Sequence, residues 1–208
     1  MDMQNNKPSK ALIIVLSIVG GILLLTIMFF GWIFGVKNSI VTKEESVKAS
    51  WSQVQNQYQR RYDLIPNLVE TVKGYATQEK ETFVQVTEAR SKATSFQITP
   101  EVLNNPEAFK KFEAVQGELS SALSRLMAVS ENYPQLKSNE NFLQLQSQLE
   151  GTENRIAVER NRYSTVIQSY NTFIKLFPQS FVASMFGFTS KPYFEAAGDA
   201  QTAPKVQF

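Results

Sequence analysis

Two glutamates, Glu150 and Glu153, stand three residues apart in a stretch of helical periodicity, so their carboxylates share one helix face. Di-iron helical bundles use a related spacing to bind metal, but their motif is Glu-x-x-His. This chain of 208 residues contains no histidine and no cysteine. Its composition excludes imidazole or thiolate zinc sites, Ser-His-Asp triads and cysteine nucleophiles. Carboxylates alone leave a Mg²⁺ or Ca²⁺ site as the remaining alternative. We expect no metal site, no cofactor and no catalytic residue.

Further charged or polar residues accompany this pair: Arg60, Arg61, Asp63, Arg125, Glu131, Asn154, Arg155 and Glu159. The main interpretation is that they form salt bridges between helices and set helix register. The alternative is a surface that binds a protein partner. The sequence contains no P-loop, no G-x-G-x-x-G and no nucleophile elbow, so we expect no small-molecule substrate. With 21 basic and 19 acidic residues, the chain also lacks the charge of a nucleic-acid-binding protein.

The elements that must position these charges are helices, because apolar residues recur at spacings of three and four in three stretches. The first stretch contains Trp51, Val54, Tyr58, Tyr62, Ile65, Val69, Val72 and Ala76, and continues through Phe83 and Val86 toward Ala93. The second contains Phe112, Val115, Leu119, Ala122, Leu126, Val129 and Tyr133. The third contains Phe142, Leu145, Leu149, Thr152, Ile156, Tyr163, Ile167, Tyr170, Ile174 and Phe177. Trp51, Tyr58, Tyr62, Tyr75 and Tyr163 are interpreted as core residues.

Prolines and capping residues divide these stretches. We expect helices over about 43–94, 106–133 and 139–177, with a loop from Ile98 to Glu107. Pro66 should kink the first stretch, and Gly74 is a second weak point. Short connections make neighbouring helices antiparallel. The predicted fold is therefore all-α: an up-and-down helical bundle or coiled coil of three long helices plus a short C-terminal helix.

An uncharged run of 26 residues, 11–36, precedes the bundle. A bilayer-spanning helix needs about 20 apolar residues, so we predict one uncleaved transmembrane helix. Three lysines follow the run and two precede it, which favours a cytoplasmic body and an N-terminus outside. The expected organisation is a short tail at 1–10, the transmembrane helix at 11–36, a helical-bundle domain at 37–195 and a flexible tail at 196–208. The apolar segment 181–188 either packs on the bundle or lies in the membrane interface.

Several longer motifs then stand out. They are RRYDLIPNLVETVKGY at 60–75, the run ALSRLMAVSENYPQLKSNENFLQLQSQLEGTENRIAVERNRYS at 122–164, Tyr170-Asn171, Phe177-Pro178 and KPYF at 191–194. Together they resemble the bacterial LemA family over nearly the whole chain. The resemblance implies a single-pass protein of the bacterial inner membrane, with a helical bundle in the cytoplasm and no established reaction. It also implies a loose association with membrane metalloproteases. Where family members often have histidine, this chain has Gln78.

The expected function is a membrane-anchored helical scaffold or adaptor that works through protein contacts, without catalysis. Its expected partners are the lipid bilayer and a protein, either a membrane metalloprotease or further copies of the chain. The alternative is a membrane-organising or membrane-remodelling homo-oligomer. Gly31 and Gly35 form a GxxxG spacing through which two spans could associate. An enzyme that uses carboxylates alone ranks third.

Overall fold

The computed structural model describes residues 10–96 and 100–195, without the side chains of residues 100 and 101. Six α-helices follow one another: α1 (Lys10–Lys73), α2 (Lys80–Ser95), α3 (Pro106–Val129), α4 (Pro134–Lys137), α5 (Glu140–Lys175) and α6 (Gln179–Met185). Two 3₁₀-helices, Pro100–Asn104 and Ser130–Asn132, flank α3. Within these described ranges there is no strand, and the predicted all-α class is confirmed. The two predicted tails lie outside the described residues, except for Lys10.

The first helix joins the membrane span to the bundle without a break. α1 contains 64 residues, which corresponds to about 96 Å at 1.5 Å per residue. Its N-terminal part is long and apolar enough to cross a membrane, and the most apolar window of 18 residues contains no buried residue. Exposed apolar side chains over a length of this kind suit a lipid environment. The helix also continues through Pro66, whose ring lies on the exposed side.

The stretch expected over 43–94 breaks at the weak point expected near Gly74 and not at Pro66, since the chain reverses direction in a turn at 74–79. α1 ends at Lys73, and α2 returns alongside it. The Arg90 side chain of α2 donates from Nε to the backbone oxygen of Tyr62 over 2.9 Å, which fixes the antiparallel alignment. Gly74 starts the turn, so the weak point expected there is the position where the helix ends.

The core lies between two pairs of helices, in which α1 packs mainly on α5 and α2 mainly on α3. All eight apolar residues predicted for the first stripe are buried: Trp51, Val54, Tyr58, Tyr62, Ile65, Val69, Val72 and Ala76. The second stripe is buried from Phe112 to Val129 except Val115, which is half-buried. Each large apolar side chain that leaves water contributes roughly 1.5–3 kcal/mol. The helical bundle is therefore confirmed as the architecture that buries these stripes.

Two asparagines begin the later helices as expected. The Asn105 side chain accepts hydrogen bonds from the backbone N–H groups of Glu107 and Ala108, at 3.0 and 3.1 Å. The Asn139 side chain accepts one from the N–H of Phe142 at 3.0 Å. Each cap satisfies donors that the first helical turn leaves unpaired. The helix ends differ slightly from the prediction, because the chain leaves the α-helix before each downstream proline.

Candidate functional site

A buried arginine lies where α1, α3 and α5 meet. The Arg61 side chain is only 2% exposed, and its Nη1 lies 3.0 Å from Oε1 of Glu153 on α5. The same nitrogen donates to the hydroxyl of Ser120 on α3 at 2.9 Å. Nη2 donates to the side-chain oxygen of Gln116, whose amide in turn donates to the Tyr62 hydroxyl. We call these five residues the Arg61 centre. It connects three helices through one side chain.

The sequence places Arg61 inside because it follows Tyr58 by three residues and precedes Ile65 by four. These spacings put it on the buried face of α1. Its guanidinium lies over the Tyr58 ring, 5.1 Å from the centroid. Burial raises the pKa of Tyr58 to about 12, so this tyrosine stays neutral. Nε of Arg61 is buried and has no hydrogen-bond partner among the described residues. The guanidinium is thus held by its outer nitrogens and by an aromatic face.

The Arg61 centre forms part of the floor of a groove between α3 and α5, which we call the α3–α5 groove. Two adjoining cavities of about 580 and 390 Å³ make up its length. Ser120 and Glu153 line both cavities. One end is lined by Leu123, Ser124, Met127, Leu149, Glu150 and Asn154, and the other by Tyr58, Lys110, Glu113, Arg160 and Glu195 among others. The groove therefore has one partly apolar end and one charged end.

The charged end contains an ion pair between Glu113 and Arg160, with Oε1 and Nη2 3.4 Å apart. The Glu113 carboxylate also accepts a hydrogen bond from the backbone N–H of Glu195 at 3.1 Å. Burial nevertheless raises the pKa of Glu113, against the opposing effects of that N–H and of Arg160. Lys110 pairs with the Glu195 side chain at 3.3 Å. Because each cation has a carboxylate beside it, the groove has no large excess of either charge.

The two carboxylates of the candidate pair bind different partners. Glu153 binds Arg61, whereas Glu150 accepts from Gln146 of its own helix at 2.9 Å. Among the described residues, no group of three or more acidic side chains is arranged to hold a metal ion.

The prediction of interhelical salt bridges is confirmed for Arg61 and Glu153. Glu131 of the second 3₁₀-helix pairs with nearby Lys137 of α4, so this pair joins two short neighbouring helices. Asp63 accepts from Gln59 on its own helix at 2.8 Å. Arg60, Arg125 and Arg155 are exposed.

A second buried cation holds the segment that follows α6. The Lys191 side chain is 5% exposed, and its Nζ lies 2.6 Å from Oε1 of Glu44 on α1. It also donates to the Asn104 side chain. The Asn171 side chain accepts from the Lys191 N–H and donates to its carbonyl oxygen, both at 2.9 Å. The spacing of charges did not identify this contact, and only the KPYF motif pointed to the segment.

Phe194 completes an aromatic cluster beside the charged end of the groove. Its ring centroid lies 4.9 Å from that of Phe109, 5.5 Å from Tyr163 and 5.9 Å from Trp51. The Arg160 guanidinium lies over the same ring at 4.2 Å. The core positions predicted for Trp51, Tyr58, Tyr62 and Tyr163 are confirmed. The core position predicted for Tyr75 is wrong: this residue follows the end of α1, is 44% exposed and accepts from Asn139.

Comparison with known proteins identifies the family. The LemA family profile matches residues 50–208. Protein LemA of Metamycoplasma hominis is 23% identical over 84% of this chain and 76% of its own length. Two magnetosome proteins MamQ of Paramagnetospirillum magneticum are each 28% identical over 78% of this chain. MamQ of Magnetospirillum gryphiswaldense has the same identity and coverage.

The chain spans just under two thirds of the length of these MamQ relatives, with 66% of each covered. The family match covers every residue of the Arg61 centre, the α3–α5 groove and the Phe194 cluster. Among the described residues, α1 is long and apolar enough to cross a membrane, which supports a membrane location. By this match, the chain is a member of the LemA family.

Proposed function

We propose that this protein is a membrane-anchored scaffold whose helical body binds another protein without catalysing a reaction. The observation that carries the proposal is the continuity of α1 from the apolar span to the bundle core. A continuous helix holds the body at a fixed distance from the bilayer. A binding surface on the body is then kept at a constant position relative to a membrane-bound partner. The absence of histidine and cysteine from the sequence supports a binding role over covalent or metal chemistry.

The α3–α5 groove is the surface proposed for the partner. Its floor is stabilised by the Arg61–Glu153 ion pair, and its walls contain exposed polar side chains such as Ser124 and Asn154. Balanced charges favour selective contacts over general attraction to acidic or basic molecules. The partner suggested by the family resemblance is a membrane metalloprotease.

Site-directed photocrosslinking in cells tests this proposal. A benzoylphenylalanine in place of Ser124 or Asn154 should yield a discrete crosslinked product of defined mass. The matched control is Glu88, which is exposed on α2 outside the groove. The scaffold proposal fails if both groove positions yield no product, or if Glu88 yields the same products. Mass spectrometry of the product distinguishes a protease from another partner.

A cytoplasmic body is the proposed orientation, supported by Lys37, Lys43 and Lys48 after the span. The chain has no cysteine, so Val158→Cys on α5 introduces one exposed thiol. A membrane-impermeant maleimide should leave this thiol unlabelled in intact cells and label it after lysis. Labelling of intact cells would place the body outside.

A homo-oligomer that organises membranes is the second candidate. Gly31 and Gly35 are exposed, and among the described residues no atom beyond the neighbouring turns of α1 would contact a Cβ at either position. At 100° per residue, their face lies about 150° around α1 from the buried Ile33, Val36 and Ile40. The glycine face is therefore free for a second span. Gly31→Leu with Gly35→Leu should reduce the detergent-solubilised mass to a monomer, and an unchanged mass would contradict this mode.

A further inference from the structure

The short helix α6 buries one face and exposes a strongly apolar opposite face. Val182 is fully buried and Ala183 is 3% exposed, where α6 contacts α1 and α5. The exposed side of this region consists of Leu176 (53% exposed), Phe177 (87%), Phe181 (56%), Met185 (51%) and Phe186 (39%). We call these five residues the apolar rim. Phe177 was expected on the buried stripe of α5, and the structure corrects that prediction.

The apolar rim is distinct from the rest of the body surface. Eleven large apolar residues are exposed between residue 37 and the last described residue, and five of them lie within residues 176–186. The other six are spread over α1, α2, α5 and two connecting segments. Single exposed apolar residues are normal, whereas a contiguous group marks a site of interaction. We therefore expect the apolar rim to be covered by a specific partner, either a protein or a lipid surface.

The position of the rim relative to the membrane span identifies that occupant. Lys37, the first charged residue after the span, lies over the Phe186 ring with Nζ 4.8 Å from its centroid. The uncharged run of 26 residues measures about 39 Å along the helix axis, which exceeds a hydrocarbon core of about 30 Å. Its last residues thus lie at the head-group level. α6 contacts α1 in this region, where Ile33 and Val36 are buried.

The side chains around the rim fit the same location. Trp32 and Phe34 of α1 are 37% and 54% exposed, as aromatic residues at a membrane interface would be. Neither residues 31–43 nor residues 174–190 contain an aspartate or glutamate. The cations Lys37 and Lys175 flank the rim. An apolar group bordered by lysines and free of acidic residues matches the boundary of a bilayer with anionic lipids.

We propose that the apolar rim is a lipid-binding surface, which inserts into the head-group boundary of the bilayer that holds α1. The body then contacts the membrane at two places, the span and the rim. Residues 177 and 181 lie among acyl chains and lipid head groups, and Lys175 faces the anionic head groups. This contact is independent of the scaffold function and of the α3–α5 groove.

Site-directed spin labelling of the full chain in nanodiscs of phosphatidylcholine and phosphatidylglycerol tests the proposal. The natural chain has no cysteine, so Phe181→Cys and, separately, Phe177→Cys each direct one nitroxide to the rim. Leu25→Cys, 66% exposed in the span, is the membrane control, and Val158→Cys, 63% exposed on α5, is the aqueous control. Power saturation compares collision rates of each label with oxygen and with a nickel chelate.

The ratio of oxygen to nickel collisions should be several-fold higher at residues 177 and 181 than at residue 158, and should approach the ratio at residue 25. Ratios at both rim positions equal to that at 158 would overturn the proposal. Labels shielded from both reagents would also overturn it, because they would show that protein covers the rim. The two rim positions are 87% and 56% exposed, and a helical circular dichroism spectrum checks that each variant keeps the fold.

Discussion

The Arg61 guanidinium and the Glu153 carboxylate form an ion pair with unequal surroundings: the arginine side chain is 2% exposed and the glutamate side chain 40%. The pair joins α1 to α5, while Gln116 and Ser120 bind the same guanidinium from α3. A single buried cation thus fixes the register of three helices. Loss of either partner has a different consequence, because only the cation is shut off from water.

Replacement of Glu153 by glutamine should destabilise the protein by about 1–3 kcal/mol, since a buried arginine then lacks its carboxylate. Arg61→Met with Glu153→Met should recover part of this loss, because no buried charge remains. Thermal unfolding of the full chain in detergent, followed by circular dichroism, measures both. Arg61→Met and Glu153→Met are also measured singly, and a loss in the double variant equal to the sum of the two single losses would show that the ion pair is not coupled.

Lys191→Met should release the segment around residues 188–195 from the bundle. Burial of Lys191 makes its ion pair with Glu44 strong, and the loss also leaves Asn104 without its donor. Limited proteolysis should then cut this segment faster. Lys110→Met is the matched control, because Lys110 pairs with Glu195 in the same segment but is 66% exposed. Equal protease sensitivity of the two variants would contradict a special role for Lys191.

Phe194→Ala should destabilise the protein by about 2–4 kcal/mol, because it empties the space between three aromatic rings and Arg160. The emission of Trp51 should shift to longer wavelength as water reaches the cluster, with Trp32→Phe as the background. Tyr193→Ala is the control, since that side chain is 44% exposed. An unchanged melting temperature of Phe194→Ala would show that the cluster does not hold the segment.

The partly buried Glu113 gives the protein a defined pH response. Its folded-state pKa is raised, so the carboxyl group binds its proton more tightly in the folded protein than in the unfolded chain. Ionisation therefore destabilises the fold as pH rises through that pKa, and this effect vanishes below the unfolded pKa. The melting temperature of Glu113→Gln relative to the natural chain should be higher at about pH 7 than at about pH 4. The opposite order would show that Arg160 and the Glu195 N–H outweigh burial.

Periodicity predicted which faces are buried, but not where the chain turns. The apolar residues from Trp51 to Ala93 recur at helical spacing on both sides of the turn at residues 74–79. They do so because α1 and α2 each bury one face against the same core. Phe177 follows Ile174 by three residues and so matches the stripe, yet α5 ends at Lys175. Pro178 disfavours helical geometry at the residue before it, which was the available signal.

The sequence predicted that Arg61 and Glu153 take part in interhelical ion pairs. It did not predict the contacts of Lys191. Arg61 is in phase with Tyr58 and Ile65, and that phase reveals its burial from sequence alone. Nothing in local spacing indicates that Lys191 meets Glu44 at a separation of 147 residues. Such contacts depend on how the helices pack against one another. The sequence around either residue does not indicate which distant residue it will contact.

Because α1 is unbroken, a tilt of the membrane span also tilts the part of α1 that lies in the bundle. From Lys37 to Lys73 the helix extends about 54 Å beyond the span, so a typical span tilt of about 20° displaces its far end sideways by about 18 Å. Tilt depends on the match between span length and hydrocarbon thickness. The sideways displacement of the distal end for a given tilt therefore grows in proportion to the length of α1 beyond the span.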